Sequence, residues 1–267
     1  MDFVTLIGVG LLTGVTTVLF GFGGGFVAVP VVVWADAALG TDAMRVATAT
    51  SALVMVVNAA FATAVTPRRV LLALRGSGGL LLLLAAGAAA GALATRLAPA
   101  GLVRWAFIAY VAVTIADLLL RPGFLRPRSG GGTASDATRP LPMLLGAPIG
   151  AVAAFLGVGG SVMTVPAMRR AGHTMRMATS LANPLTLAIA LPATVMSLGV
   201  AAVPSAAGAP VHLVGLLDVR AASALLLGAL PVIAVLRRSP PRIPDRLHAW
   251  TYVGLLGVVT VAMGLTA

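Results

Sequence analysis

Eight apolar runs follow one another along this chain, over roughly 3–35, 43–66, 77–97, 101–120, 141–168, 177–200, 213–236 and 247–267, with only short polar stretches between them. Several reach the roughly 18 apolar residues that a membrane-crossing helix needs. Only 9% of the residues are charged, against about 25% in an ordinary soluble domain, so too few polar side chains remain to clothe a water-facing surface. The sequence predicts an all-α polytopic membrane protein. Its first ten residues carry no Lys or Arg, which argues against a cleaved signal peptide. The absence of cysteine excludes disulfides and thiolate metal sites.

The formal net charge is +11. Nucleic acid is not the partner this implies. All 18 basic residues are Arg, and most sit in short stretches between apolar runs, where positive charge orients a membrane protein. Trp34, Trp105 and Trp250 stand at run ends, as interfacial anchors do.

The chain repeats itself. At an offset of 136, Gly10, Gly14, Gly21, Gly23, Gly24, Val29 and Pro30 meet Gly146, Gly150, Gly157, Gly159, Gly160, Val165 and Pro166, and Gly25 meets Ser161. "ATSA" at 49–52 resembles "ATSL" at 178–181. This predicts a first transmembrane repeat over 1–120, a Gly/Ser/Pro/Arg-rich linker over 121–140 and a second repeat over 141–267. Each repeat is a Gly-broken segment followed by three transmembrane helices. Gly87 with Gly91, Gly10 with Gly14 and Gly146 with Gly150 have the small-xxx-small spacing of close helix packing.

Four arginine-rich stretches surround residues 68–75, 121–139, 169–176 and 237–246. Eight simple crossings cannot place all four on one face. They fall together if 3–35 and 141–168 each enter and return as a broken hairpin, which makes the halves an inverted repeat. Each hairpin has about 30 residues, so both tips are expected near the midplane. Eight continuous spans with parallel repeats remain the alternative.

"GFGGGFVAVP" at 21–30 lacks the last glycine of a dinucleotide fingerprint and the lysine of a phosphate loop. The three histidines read as solvated residues of loops and segment ends. Asp117 and Arg121 have the spacing of an ion pair near a helix end. No acid pair sits in a segment centre and there is no evident buried carboxylate, so no catalytic residues, metal or cofactor are assigned. What remains inside the segments is neutral and polar: Thr48, Thr50, Ser51 and Asn58 in one half, Thr179, Ser180, Asn183 and Thr186 in the other. Such side chains serve helix backbones or line a polar cavity. A helix broken in lipid survives only beside protein or a water-filled cavity, and the first amides after a break attract anions. The candidate substrate-binding set is therefore Gly23, Gly24, Gly25, Thr48, Thr50, Ser51, Asn58, Gly159, Gly160, Ser161, Thr179, Ser180 and Asn183. Arg45 and Arg176 stand just before the two polar clusters, as loop charges that set topology or as entrance charges.

"GFGGGFVAVPVVV" with "MRVATATSALV", then "GAVAAFLGVGGSVMTVPAMRRAGHTMRMATSLANPL", resemble the sulfite exporter TauE/SafE family of membrane transporters over essentially the whole chain. The resemblance implies a multi-pass protein of the bacterial inner membrane that moves a small sulfur-containing anion such as sulfite, sulfoacetate or another organosulfonate. Export is the implied direction. A passive anion channel and a carrier of another small organic anion are the alternatives. A homo-oligomer is compatible with the sequence. Ser161, in place of a glycine, and Asn183–Pro184, which predicts a second local break, depart from symmetry between the halves.

Overall fold

Runs of Leu, Val and Ala leave the backbone no competitor for its own hydrogen bonds, and they wind into eleven helices among the described residues. The computed structural model describes residues 1–125, 142–199 and 213–265. The helices are α1 (Phe3–Phe20), α2 (Gly25–Ala35), α3 (Ala43–Ala64), α4 (Arg68–Leu71), α5 (Gly78–Leu97), α6 (Ala100–Leu120), α7 (Gly146–Leu156), α8 (Ser161–Arg170), α9 (Met175–Leu198), α10 (Val219–Arg238) and α11 (Asp245–Leu265). A two-residue hairpin, β1 (Leu213–Val214) and β2 (Leu217–Asp218), leads into α10. Seven helices (α1, α3, α5, α6, α9, α10, α11) are long and apolar enough to cross a membrane. Most of the expected linker, from 126 on, lies outside the described residues.

The antiparallel pair α3 and α9 forms the centre. Thr48 and Ser197 line one small cavity. Further along, Met55 and Thr186 are both touched by Gly23 and by Gly159. Helix α10 runs parallel to α3: Asp218 meets Thr50, while Ala229 and Ile233 cluster with Ala62. Helix α1 runs parallel to α10 on a seam of small residues, with Gly10 against Leu225 and Gly228, and Gly14 against Ala229. Helices α5 and α7 make the equivalent seam, with Gly87 on Ala147, Gly91 on Ala151 and Gly150 on Leu84. A side chain at any of these glycines would collide with backbone, so the sequence spacing does serve close packing.

These directions fix the two broken segments. Helix α1 ascends beside α10 until Leu19 reaches His248 near the start of α11. The chain then reverses through Gly21–Gly24, and α2 descends beside α3 from Met55 toward residue 43. The Met1 amine and Asp36 end within electrostatic reach of each other. The second segment enters beside α5, reverses at Gly157–Gly160 and returns along α9. Both segments are thus hairpins whose ends lie on one face each, on opposite faces.

The tips meet near the middle of α3, where Gly23 and Gly159 both lie against Met55 and Thr186, and they overlap there. Gly24 reaches Asn58, whereas Gly157 reaches Thr48 and Ser51. The overlap is about 7–10 residues of α3, or about 10–15 Å. In the first hairpin the break falls late, leaving arms of 18 and 11 residues, so its long arm nearly crosses. The expected second break at Asn183–Pro184 is absent, since α9 continues through Pro184 and Pro192. Prolines are tolerated where neighbouring helices serve the freed carbonyls.

Charge sorts cleanly between the faces. Among the described residues one face holds Arg68, Arg69, Arg75, Arg121, Arg169, Arg170, Arg176, Arg237, Arg238, Arg242 and Arg246 against Asp117 and Asp245. The other holds Arg45, Arg96, Arg104 and Arg220 against Asp2, Asp36, Asp42 and Asp218. Gly123 lies against Arg170, which puts two of the arginine-rich stretches on one face. Trp34, Trp105 and Trp250 are exposed.

Candidate functional site

The site is built where the two breaks meet. Gly21, Gly23 and Gly24 have φ of 74°, 63° and 85°, a left-handed path closed to most side chains. Gly157 and Gly159 follow at 69° and 73°. The breaks free carbonyls that lipid cannot serve, and polar side chains of the central helices serve them instead. Asn58 Nδ2 donates to the Gly23 carbonyl (3.3 Å) and Thr186 Oγ1 to that of Gly21 (3.3 Å). Ser51 Oγ donates to the Gly157 carbonyl (3.1 Å), Thr95 Oγ1 to Phe155 (2.9 Å) and Tyr252 to Ser161 (3.2 Å).

The amides are treated differently. Neither α2 nor α8 has a capping side chain, as holds also for α1 and α3 to α7, but α2 and α8 start inside the bundle. Two uncapped helix starts thus lie near the middle of the bundle, carrying the partial positive charge of their first-turn amides. Met55 fills the space between the breaks: a Cβ on Gly25 would collide with its side chain, and one on Gly159 would stand 2.9 Å from its sulfur. Around the breaks, four buried side-chain atoms have no hydrogen-bond partner among the described residues: Ser161 Oγ, Thr164 Oγ1, Asn58 Oδ1 and Asn183 Oδ1.

A family model described as sulfite exporter TauE/SafE matches residues 6–263. The chain belongs to the TauE/SafE family. No curated protein and no solved structure matches it. Membership makes the chain a multi-pass protein of a membrane transporter family, in keeping with its apolar helices.

In this TauE/SafE chain most of the expected site residues converge. Gly23, Gly24, Gly25, Gly159, Gly160 and Ser161 form the breaks. Asn58, Thr48 and Ser51 contact them from α3, and Thr179 does so through its carbonyl, which lies against Gly21. Asn183 is buried on the same helix, its Nδ2 donating to the Thr179 carbonyl. Two hydroxyls turn away. Thr50 Oγ1 accepts from the Asp218 amide (2.9 Å) and Ser180 Oγ from Arg237 (3.4 Å). A period of 3.6 separates Thr50 from Ser51 by about 100° around α3, so one sequence cluster serves two surfaces.

Other residues escaped the sequence. Met55, one apolar residue among many in its run, carries no signal in the sequence. Tyr252 joins an aromatic group with Phe20, Phe22 and Phe124, drawn from three distant segments. His248 is not solvated: it is 7% exposed and its Nε2 lies 2.6 Å from the Leu19 carbonyl. The absence of an evident buried carboxylate is also corrected. Asp36 and Asp218 are 3% and 4% exposed and hydrogen-bonded to each other. Burial, with Asp218 alongside, pushes the Asp36 carboxyl up to about 7. Asp117 pairs with Arg121 as expected (3.1 Å) and with Arg170 besides. Arg169, read as a loop charge, is fully buried. Among the described residues no group of three or more His, Asp or Glu side chains comes together as a metal site would require.

Proposed function

We propose that the chain is a secondary carrier that exports a small sulfur-containing anion, sulfite or an organosulfonate, across the bacterial inner membrane. The observation that carries this reading is the meeting of two uncapped helix starts around Met55 and Thr186. Amides and the unpartnered Ser161 hydroxyl offer hydrogen-bond donors without a buried cation, a combination that binds a small oxyanion and releases it again. The substrate set is the thirteen residues named above, with Thr50 and Ser180 acting outside the breaks. Asn58 holds the break in shape and Met55 is the gate that must move.

Two halves, 1–120 and 141–267, form an inverted repeat joined by the linker at 121–140. The antiparallel α3 and α9 and the matching seams α1–α10 and α7–α5 support this. The arginine-rich face is cytoplasmic by the positive-inside rule. The protein works in the bilayer with a small anion as its substrate, and no cofactor is assigned.

Uptake of labelled sulfite or sulfoacetate into proteoliposomes tests the proposal. Saturable anion flux with trans-stimulation is expected. Flux of a cation or a neutral solute with no anion flux would overturn it, and anion flux without trans-stimulation would assign a channel instead.

A further inference from the structure

Arg169 shows what a buried structural arginine looks like in this protein. Its Nη2 pairs with Asp245 at 2.7 Å, Nε and Nη2 donate to the Phe124 carbonyl, and Nη1 donates to that of His173. Every edge of the guanidinium is filled. Arg237, near the same face in the last turn of α10, is the opposite. Only its Nη1 has a partner, Ser180 Oγ at 3.4 Å, while Nε and Nη2 are buried with none. The Arg176 guanidinium lies close enough for its charge to oppose that of Arg237. Among the described residues no carboxylate pairs with either.

Arginine does not relieve such repulsion by losing its proton. Two like charges, one exposed and one half-buried with two buried, unused donor nitrogens, form an arrangement that a counter-ion completes. The unused edge is informative. Nε–H and Nη2–H are the parallel donors that grip two oxygens of a carboxylate, phosphate or sulfonate at once. Ser180 accepts from Arg237, so its own O–H is free to donate to a third oxygen. Arg176 and Ser180 are four apart on α9 and share one side of it.

We propose that Arg237, Arg176 and Ser180 form an oxyanion-binding station at the arginine-rich face, where the transported anion loads before it reaches the paired breaks. This rests on the anion-carrier reading above. The same oxyanion chemistry could be met by a phospholipid phosphate, and the test separates the two sources. Ser180, which misses the breaks, and Arg176, which the sequence left between topology charge and entrance charge, both acquire a role.

The experiment pairs equilibrium binding of sulfite to the phospholipid-stripped protein in neutral detergent with sided flux in vesicles. Arg237→Gln is expected to weaken sulfite binding at least about tenfold. It should raise KM from the arginine-rich face by a similar factor while leaving the maximal rate within about twofold. Arg237→Lys, which keeps the charge but loses the edge, should recover only part of the affinity. Without anion, Arg237→Gln should melt no lower than the parent, because a repulsion is removed. Unchanged sulfite affinity, or a large loss of melting temperature without anion, would overturn the proposal. So would stabilisation by phosphatidylglycerol vesicles but not by sulfite. Sulfite binding lost in Arg237→Gln, in a protein that shows no flux, would leave this station standing and sink the carrier reading.

Discussion

Gly24 and Gly160 are the same residue in the two copies of one motif, yet they do different work. Gly24 has φ of 85° and faces Asn58 and Thr13, whereas Gly160 has φ of −75° and faces the ends of the Ile189 and Ile149 side chains. The first break is framed by aromatic rings, Phe22 stacking on Phe26 with Phe20 and Tyr252 around them. The second is bounded by Val158 and Val162. The first needs a third left-handed glycine to turn into α2. The second completes its turn one residue sooner, and Ser161 stands where, in the first, Met55 leaves room only for Gly25. A shared glycine motif specifies that the helix breaks, and its neighbours specify how.

Substitution separates the two breaks. Gly24→Ala should cost about 2–5 kcal/mol, from a left-handed backbone together with the approach of Asn58 and Thr13. Gly160→Ala should cost below about 1 kcal/mol, because a flexible side chain can yield. Melting in detergent checks both, and equal losses would erase the distinction drawn here. Next in size is Asn58→Ala, which strands the Gly23 carbonyl and should cost about 1–3 kcal/mol. Ser51→Ala should fall in the lower half of that range. Ser161→Gly, which restores the symmetry of the motif, removes an unpartnered hydroxyl. It should leave melting nearly unchanged and raise KM for sulfite about three- to tenfold, through one lost hydrogen bond. Unchanged KM would remove Ser161 from the site.

A separate effect concerns pH. Folded Asp36 holds its proton up to about pH 7, whereas an unfolded aspartate releases it near 4. The folded state thus binds more protons between these values, so stability falls as pH rises from about 4 to about 7 and levels off above. Asp36→Asn should flatten the fall in melting temperature across that window. An unchanged slope would assign the pH dependence elsewhere.

Much of the fold was legible because a bilayer leaves few choices. Apolar runs gave the helices, and the arginine-rich stretches implied hairpins entering from opposite faces. The depth of those hairpins was not legible, since it depends on where within a run the break falls. Gly21 comes after 18 helical residues and Gly157 after only 11. The glycines and Asn58 of the site followed from composition, because a polar residue deep in an apolar run needs a partner. That Thr50 and Ser180 face away from the breaks was not legible, since adjacency in sequence is not adjacency on a helix. The Asp36–Asp218 pair was hidden because its members lie 182 positions apart, at two segment ends that individually look solvated.

The seam between α1 and α10 has a consequence for how the protein is made. Helix α1 leaves the ribosome long before its partner, because the residues that meet Gly10 and Gly14 are not synthesised until 225–232. At about 5–20 residues per second, α1 waits roughly 10–40 s in the membrane with its glycine groove unfilled. Helix α5 waits far less for α7. The α5–α7 seam can therefore close well before the α1–α10 seam, and α1 finds its seat late.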